Sequence, residues 1–139
     1  MTDVIALSRA FVEHWNRRDI DAIVAALSED VVYRNVPLPA LHGREAVRNF
    51  ITPNLKRVTR MHWVVHALAV TADGRKVLTE RTDSFYFGNE AVHVPVMGVF
   101  EFREALIAEW RDYADIGEFV RQMAAIGQRP GWEGPPPGQ

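Results

Sequence analysis

Three short segments of this sequence each place two polar or hydrogen-bonding side chains two positions apart. The pairs are Tyr33 with Asn35, Arg81 with Asp83, and Trp110 with Asp112. In a β-strand, residues two positions apart project from the same face of the sheet. If the three faces met inside one curved sheet, two aspartates, an arginine, a phenol and an amide would form a polar cluster in an apolar cup. Two carboxyl groups, one protonated and one ionised, could then give a proton to a bound molecule and take a proton from it.

Each of these residues also has a simpler interpretation. Arg81 and Asp83 are compatible with a solvent-exposed ion pair, and Asp112 is compatible with a pair to Arg111 or with a turn cap. Tyr33 on its own is typical of a residue at the edge of a core whose hydroxyl reaches water. The coincidence across three segments favours the functional interpretation. The register of the strands has to be known before the two interpretations can be separated.

The histidines do not predict a metal site. His62 and His66 are four positions apart, which on a strand is about 13 Å and too far for both to bind one metal ion. His42 and His93 are isolated in the sequence. There is also no glycine-rich phosphate loop and no nucleotide-binding motif.

Length and composition indicate one domain whose partner is a small molecule or another protein chain. The 139 residues carry a formal net charge of −2, so no excess of basic residues favours nucleic acid or an anionic membrane. The absence of cysteine excludes disulfides, thiolate catalysis and cysteine-bound zinc. No basic segment followed by a long apolar run begins the chain, and no stretch reaches the roughly 18 apolar residues of a membrane span. We expect a soluble cytoplasmic protein.

Apolar periodicity predicts two N-terminal helices, over about residues 3–16 and 19–27, with Asp19 as the cap of the second. A short strand over 31–36 leads into a proline-rich loop, and a helix that begins at Arg44 is expected to end near Pro53. Asp73-Gly74 predicts a hairpin turn. A last helix is predicted over 116–126. Four segments rich in β-branched and aromatic residues predict strands, at 61–70, 76–87, 91–102 and 106–113.

Helices followed by an antiparallel meander predict an α+β fold, in which helices cover one face of a strongly curved sheet. In the last strand, Leu106 and Ala108 are expected to share the inward face of Trp110 and Asp112. Residues 1–126 form the predicted single domain. The Gly/Pro-rich residues 127–139 are expected to be an irregular or disordered tail.

Three blocks of the sequence resemble the limonene-1,2-epoxide hydrolase family. They are YRNVPLPALHGREAV, LTERTDSF and MGVFEFREALIAEWRDYADIGEF. The patterns Y-x-N-x-P-L-P, E-R-x-D and W-R-D-Y occur together in the family's order, and the resemblance runs from about residue 31 to 119. It implies the cone-shaped fold shared with nuclear transport factor 2 and ketosteroid isomerase. The sheet of that fold is mixed but mostly antiparallel, with the N-terminal helices packed over it.

The resemblance implies a role for each member of the polar cluster. Arg81 and Asp83 match the family's catalytic arginine and acid, Asp112 matches its base, and Tyr33 and Asn35 match the pair that holds a water. The implied reaction is one-step hydrolysis of an epoxide to a vicinal diol, without a covalent intermediate, a metal or an organic cofactor. A homodimer is also implied. Asp83 must stay protonated in this reaction, so burial has to outweigh the opposing effect of Arg81 on its pKa.

The substrate is expected to contact a set of mostly apolar side chains, namely Trp15, Leu38, Phe85, Val96, Trp110, Ala114 and Phe119. Ala114 stands where a phenylalanine is typical of the family pattern. If Ala114 faces the pocket, the missing ring enlarges it and favours a bulkier or more varied range of epoxides than limonene oxide alone.

Two alternative functions remain open. An isomerase or cyclase on the same fold, of the ketosteroid isomerase or SnoaL type, would use an isolated acid as its base, with a tyrosine or a protonated acid to stabilise an enolate. Such a site has no evident use for an arginine between two aspartates. The other alternative is a non-catalytic binding module, in which Asp83→Asn and Asp112→Asn would leave ligand binding intact.

Overall fold

A computed structural model describes residues 2–132 of the chain. The helices in this range are α1 (Val4–Asn16), α2 (Ile20–Ala25), α3 (Arg44–Arg57) and α4 (Ile116–Ala125). The strands are β1 (Leu27–Val36), β2 (Leu41–His42), β3 (Arg60–Val70), β4 (Lys76–Phe87), β5 (Glu90–Arg103) and β6 (Leu106–Ala114). Asp3, Asp19 and Asp115 cap α1, α2 and α4 by accepting a hydrogen bond from a backbone N–H in the first turn.

The six strands form one sheet in the order β2-β1-β6-β5-β4-β3. Strand β1 runs parallel to β6, and the other four neighbouring pairs are antiparallel. The predicted α+β architecture with a mixed, mostly antiparallel sheet is therefore confirmed. The parallel pair brings the first strand of the chain beside the last one, which sequence proximity alone does not suggest.

Aromatic side chains hold helix α1 against the sheet. Phe11 is fully buried and meets the rings of Phe100 and Trp110 edge-on, at centroid separations of 5.3 and 5.1 Å. Trp15, one turn later, stacks on Trp63 of β3 at 4.7 Å. Such ring pairs contribute about 0.5–1.5 kcal/mol each beyond the area they bury. They fix α1 over β3, β5 and β6 of the sheet.

Helix α3 continues through Pro53 to Arg57, so the prediction that it ends near Pro53 is wrong. Proline removes one backbone donor from a helix, but two neighbouring side chains donate to carbonyls of the preceding turn. Thr52 Oγ1 donates to the carbonyl of Arg48 at 2.7 Å, and Asn54 Nδ2 donates to that of Phe50 at 2.8 Å. The buried face formed by Val47, Ile51 and Leu55 spans the proline. Packing of this face outweighs the local penalty.

The inward row predicted for strand β6 is wrong at its beginning. Leu106 is 37% exposed, whereas Ile107 is buried. The register against β5 shifts between Glu101 and Phe102, which makes a bulge in the ladder. A bulge adds one residue to a strand, so the alternation of inward and outward side chains before the bulge is out of step with the alternation after it. Trp110 and Asp112 both lie beyond it, so their common inward face is retained.

The C-terminal segment contains no helix or strand from Gly127 to Trp132, which fits the predicted irregular backbone. Even so, this part of the segment packs against α3 and α4. The rest of the predicted tail, residues 133–139, lies outside the described residues. No helix within residues 2–132 is long and apolar enough to cross a bilayer, and the cytoplasmic location stays a prediction.

Candidate active site

A cavity of about 150 Å³ lies between the inner face of the sheet, helices α1, α3 and α4, and the segment after α4. Four members of the predicted polar cluster line it, namely Tyr33, Asn35, Asp83 and Asp112. Most of the other lining side chains are apolar, among them Phe50, Leu55, Trp63, Phe85 and Phe119. The cavity is thus an apolar space with one polar region at the sheet.

Arg81 joins the two aspartates but does not itself line the cavity. Its Nε donates to Oδ1 of Asp83 at 3.0 Å, and its Nη2 donates to Oδ2 of Asp83 at 2.9 Å and to Oδ2 of Asp112 at 3.1 Å. The remaining nitrogen, Nη1, donates to Oγ1 of Thr79 at 2.9 Å. Arg81 is only 1% exposed. The planar fork of donors in arginine suits this three-partner arrangement, which the single ammonium of lysine cannot reproduce.

The register of the strands explains how Arg81 on β4 reaches Asp112 on β6 across β5. The residue between them on β5 is Gly98, which pairs with Thr79 on one side and with Asp112 on the other. A Cβ atom at position 98 would overlap Nη1 of Arg81 and lie 2.5 Å from Oδ1 of Asp112. The guanidinium therefore occupies space that any other residue would fill with its side chain.

The parallel pairing of β1 with β6 places Tyr33 beside Trp110 and Asn35 beside Asp112. The Tyr33 ring stacks on the Trp110 ring at 4.0 Å, and Asn35 Nδ2 donates to the Tyr33 hydroxyl at 2.8 Å. Trp110 Nε1 donates to Oδ1 of Asp112 at 3.0 Å. Each of the four side chains is therefore oriented by at least one of the others.

Burial dominates the ionisation of Asp83. Removal from water raises the pKa of this carboxyl, the charge and hydrogen bonds of Arg81 lower it, and the negative charge of Asp112 raises it. The resulting pKa is about 6. The bidentate contact with Arg81 favours the carboxylate form, but burial is the larger effect. Asp83 therefore holds its proton to a higher pH than an exposed aspartate does.

Arg81 and Tyr33 do not titrate near neutral pH. Burial lowers the pKa of Arg81, but the charges of Asp112 and Asp83 outweigh burial, so the net pKa lies above the usual value. Burial, followed by the charge of Asp112, raises the pKa of Tyr33. The guanidinium thus keeps its charge, and the phenol stays neutral with one proton to donate and lone pairs to accept.

All five residues of the predicted polar cluster lie together in the structure. Among the residues predicted to contact substrate, five line the cavity: Trp15, Phe85, Val96, Ala114 and Phe119. Trp110 does not line it, because its ring is fully buried behind Tyr33. Leu38 does not line it either, since it lies in the loop after β1.

Sequence reasoning missed three residues that position the cluster. Thr79 accepts the fourth hydrogen bond of Arg81, Gly98 makes space for the guanidinium, and the ring of Trp63 lies 5.0 Å from the guanidinium carbon of Arg81. An isolated glycine inside a strand is a signal of close approach, so Gly98 could have been found. Thr79 and Trp63 carry no such signal, because threonine and tryptophan are common strand residues.

The arrangement combines a protonatable carboxyl, a second carboxyl, a fixed cation and a neutral phenol beside an apolar space. It can give a proton to one atom of a bound molecule and take a proton from another. In the part of the chain that the structure describes, no group of three or more potential ligand side chains could hold a metal ion. Independence from cofactors stays a prediction.

The family model for the limonene-1,2-epoxide hydrolase catalytic domain matches residues 2–125 of the chain. The chain belongs to the limonene-1,2-epoxide hydrolase family. Among curated relatives, epoxide hydrolase EphG of Mycobacterium tuberculosis (strain ATCC 25618 / H37Rv) is 36% identical over 115 residues. That alignment covers 82% of this chain and 74% of EphG.

Solved structures share the fold of this limonene-1,2-epoxide hydrolase family member. An M. tuberculosis LEH-like epoxide hydrolase superposes with a TM-score of 0.75 at 33% identity, covering 87% of this chain and 89% of that one. The epoxide hydrolase/cyclase-like enzyme SalBIII, which acts in pyran ring formation in the polyether salinomycin, has a TM-score of 0.73 at 19% identity. The SalBIII match covers 81% of this chain and 91% of that one, and at this identity it shows the fold alone.

Proposed function

We propose that the chain is an epoxide hydrolase that opens an epoxide to a vicinal diol by direct attack of an activated water. The observation that carries the proposal is the buried bridge in which one guanidinium binds Asp83 through two nitrogens and Asp112 through one. Ring opening needs a proton on the departing oxygen and the removal of a proton from water. The two carboxyls beside one cavity can act as the acid that donates the first proton and the base that removes the second.

In the proposed reaction, the water oxygen forms a bond to one epoxide carbon while the bond from that carbon to the epoxide oxygen breaks. Asp83 gives its proton to the oxygen that leaves the carbon, and Asp112 takes one proton from the water. The products are the diol, a charged Asp83 and a protonated Asp112. Transfer of that proton back to Asp83 restores the starting state.

Tyr33 and Asn35 are proposed to orient the water for Asp112. Asn35 donates to the Tyr33 hydroxyl at 2.8 Å, and both residues line the cavity beside Asp112. The neutral phenol can still donate its own proton to a further acceptor. Orientation matters because a displacement of about 1 Å costs on the order of a hundredfold in rate.

The charges of the cluster favour one proton shared between the two aspartates. Arg81 contributes one positive charge and balances only one carboxylate. A state in which one of the two carboxyls carries a proton is neutral overall, and burial penalises a neutral state least. The raised pKa of Asp83, about 6, supports Asp83 as the proposed acid.

The test is diol formation from a panel of terminal and cyclic epoxides by the wild type, Asp83→Asn and Asp112→Asn. Loss of an acid or a base lowers rates by roughly 10²–10⁴-fold, and we expect kcat to fall in that range for both variants. Asp21→Asn is the matched control, because its side chain is 89% exposed and pairs only at the surface with Arg48. Wild-type rates in either cluster variant would overturn the proposal.

The same panel separates the two alternative functions. A non-catalytic binding module forms no diol and binds epoxides equally well with or without the aspartates. An isomerase or cyclase forms no diol from simple epoxides, and its activity on an enolisable ketone would fall in only one of the two aspartate variants. Structures named as putative polyketide cyclases share the fold at 24% identity or less, so they do not favour this alternative.

We further propose that two copies of the chain form a homodimer through the outer face of the sheet. Four large apolar side chains are exposed on neighbouring strands of that face, namely Val64, Leu78, Met97 and Tyr113. Met97 and Tyr113 are direct partners across β5 and β6, and exposed apolar side chains on one sheet face are typical of a protein interface. Light scattering should show a dimer that Met97→Asp dissociates, whereas Val120→Asp on α4 should leave it intact. A monomeric wild type would contradict the proposal.

A further inference from the structure

The segment that follows α4 forms part of the cavity wall. Pro130 and Trp132 both line the same cavity as Asp83 and Asp112. The Trp132 ring lies 5.6 Å from that of Phe119, and Phe119 lies 6.2 Å from Phe85. Phe85 follows Asp83 by two positions on the same strand face. A row of three aromatic rings therefore leads from Trp132 to the acid half of the site.

Two side chains of helix α3 hold this segment in place by donating hydrogen bonds to its backbone carbonyls. Asn54 Nδ2 donates to the carbonyl of Gly131 at 3.0 Å, and Arg57 Nη1 donates to the carbonyl of Arg129 at 3.1 Å. Arg57 Nη2 in turn donates to Oδ1 of Asn54 at 3.0 Å, which orients both donors together. The segment is thus attached by hydrogen bonds at two positions rather than lying loosely over the opening.

Gly131 has a conformation that the attachment requires. Its φ of +106° lies in a region that residues with a Cβ atom rarely adopt. A Cβ atom there would overlap Oδ1 of Asn54 and lie 2.7 Å from Nη2 of Arg57. An alanine at this position would therefore strain the backbone and push the Asn54 and Arg57 side chains away from the segment, without touching Asp83, Asp112 or Arg81.

We propose that Pro130 and Trp132 form the distal wall of the substrate site, and that Trp132 contacts a ring-bearing apolar substituent of the epoxide. The inference rests on the proposed epoxide hydrolase function. The epoxide itself lies at the aspartates, so only a substituent long enough to pass Phe85 and Phe119 reaches Trp132. Flat rings suit this wall, because aromatic faces favour stacked or edge-on contact with other rings.

The test compares kcat/KM for phenyl glycidyl ether with kcat/KM for 1,2-epoxybutane, which is too short to reach the wall. An aromatic contact is worth about 0.5–1.5 kcal/mol, so Trp132→Ala should lower the ratio of the two values by up to about tenfold. The loss should appear for the phenyl ether, while the rate for epoxybutane stays within about twofold of the wild type. Trp132→Phe should recover most of the ratio.

Gly131→Ala provides a second, independent perturbation, and it should lower the ratio in the same direction. Gly117→Ala is its matched control, because Gly117 is exposed on α4 and has no positive φ. An unchanged ratio in both Trp132→Ala and Gly131→Ala would overturn this inference alone. A wild type that forms no diol from either epoxide would instead overturn the proposed function, and the inference with it.

Discussion

Gly98 lies so close to the Arg81 guanidinium that a Cβ atom at position 98 would overlap Nη1. The pairing of Gly98 with Thr79 and Asp112 makes it the residue over which Arg81 passes to reach Asp112. The absence of a side chain at one strand position therefore allows the bridge between the two aspartates. It also ties the geometry of the proposed acid to that of the proposed base.

Gly98→Ala should displace the guanidinium and weaken both ion pairs. Overpacking of a buried site costs about 1–3 kcal/mol, and we expect the free energy of unfolding to fall by that amount in urea titrations. We expect kcat to fall on the order of a hundredfold. Gly117→Ala should lower neither the free energy of unfolding nor kcat, because an alanine in a helix is favourable. Full activity in Gly98→Ala would show that the bridge is not required.

Replacing Arg81 by lysine should impair catalysis although the charge is kept. A lysine cannot bind Asp83 through two parallel donors while also reaching Asp112 and Thr79. We expect kcat/KM to fall on the order of a hundredfold, together with a lower melting temperature. Arg111→Lys is the matched control on β6, where the arginine pairs with Glu101 and Glu109 at partly exposed positions. Equal effects of the two substitutions would count against a specific role for Arg81.

The rate should fall as the pH rises through the pKa of Asp83, about 6, because the proposed acid loses its proton there. An apolar substrate that fills the cavity removes further water from Asp83 and raises its pKa in the complex. The limb of the kcat profile should therefore lie at higher pH than the limb of the kcat/KM profile. Flat profiles between pH 5 and 8 would contradict the assignment of Asp83 as the acid.

The same carboxyl should make stability depend on pH. Its pKa is raised from 3.8 in the unfolded chain to about 6 in the folded protein, so the folded state binds the extra proton between these values. The contribution of Asp83 is fully present below about pH 3.8 and is lost as the pH rises through 6. As the pH rises from about 3.8 through 6, the unfolding free energy of the wild type should therefore fall relative to that of Asp83→Asn. A constant difference would show that Asp83 is already ionised at pH 4.

Ala114→Phe should narrow the cavity and change substrate preference. Ala114 is half-buried, lines the cavity and pairs with Val96 on the neighbouring strand. A phenyl ring there should lower kcat/KM for bulky epoxides about tenfold or more, because overpacking by a few methylenes costs about 1–3 kcal/mol. Small epoxides should be affected less, and Ala114→Val should give an intermediate result. Unchanged relative rates would show that Ala114 does not limit substrate size.

The local part of the site could be predicted from the sequence. Arg81 and Asp83 are two apart on one strand, and so are Trp110 and Asp112, so the period of two assigns each pair to one face. The misassigned faces of Leu106 and Ala108 did not disturb this, because the bulge comes before Trp110. Apolar and aromatic patterning was also sufficient to predict the α+β class.

The long-range part could not be derived from local pattern alone. Tyr33 and Asn35 reach Asp112 only because β1 pairs in parallel with β6, and no local pattern records which strands pair. The passage of α3 through Pro53 depends on the burial of Ile51 and Leu55, which overrides the local preference of proline. The attachment of Gly131 to Asn54 is likewise a tertiary contact in a segment whose composition predicts irregular structure.

The most direct test of the account is a single-turnover reaction in ¹⁸O-labelled water with enzyme in excess over a terminal epoxide. Direct attack of water predicts diol that carries one ¹⁸O atom from the first turnover, as measured by mass spectrometry. Unlabelled diol in the first turnover, with label appearing in an aspartate of the enzyme afterwards, would contradict the account. That result would mean that a carboxylate attacks the epoxide and that the buried bridge of Arg81, Asp83 and Asp112 acts through a covalent intermediate.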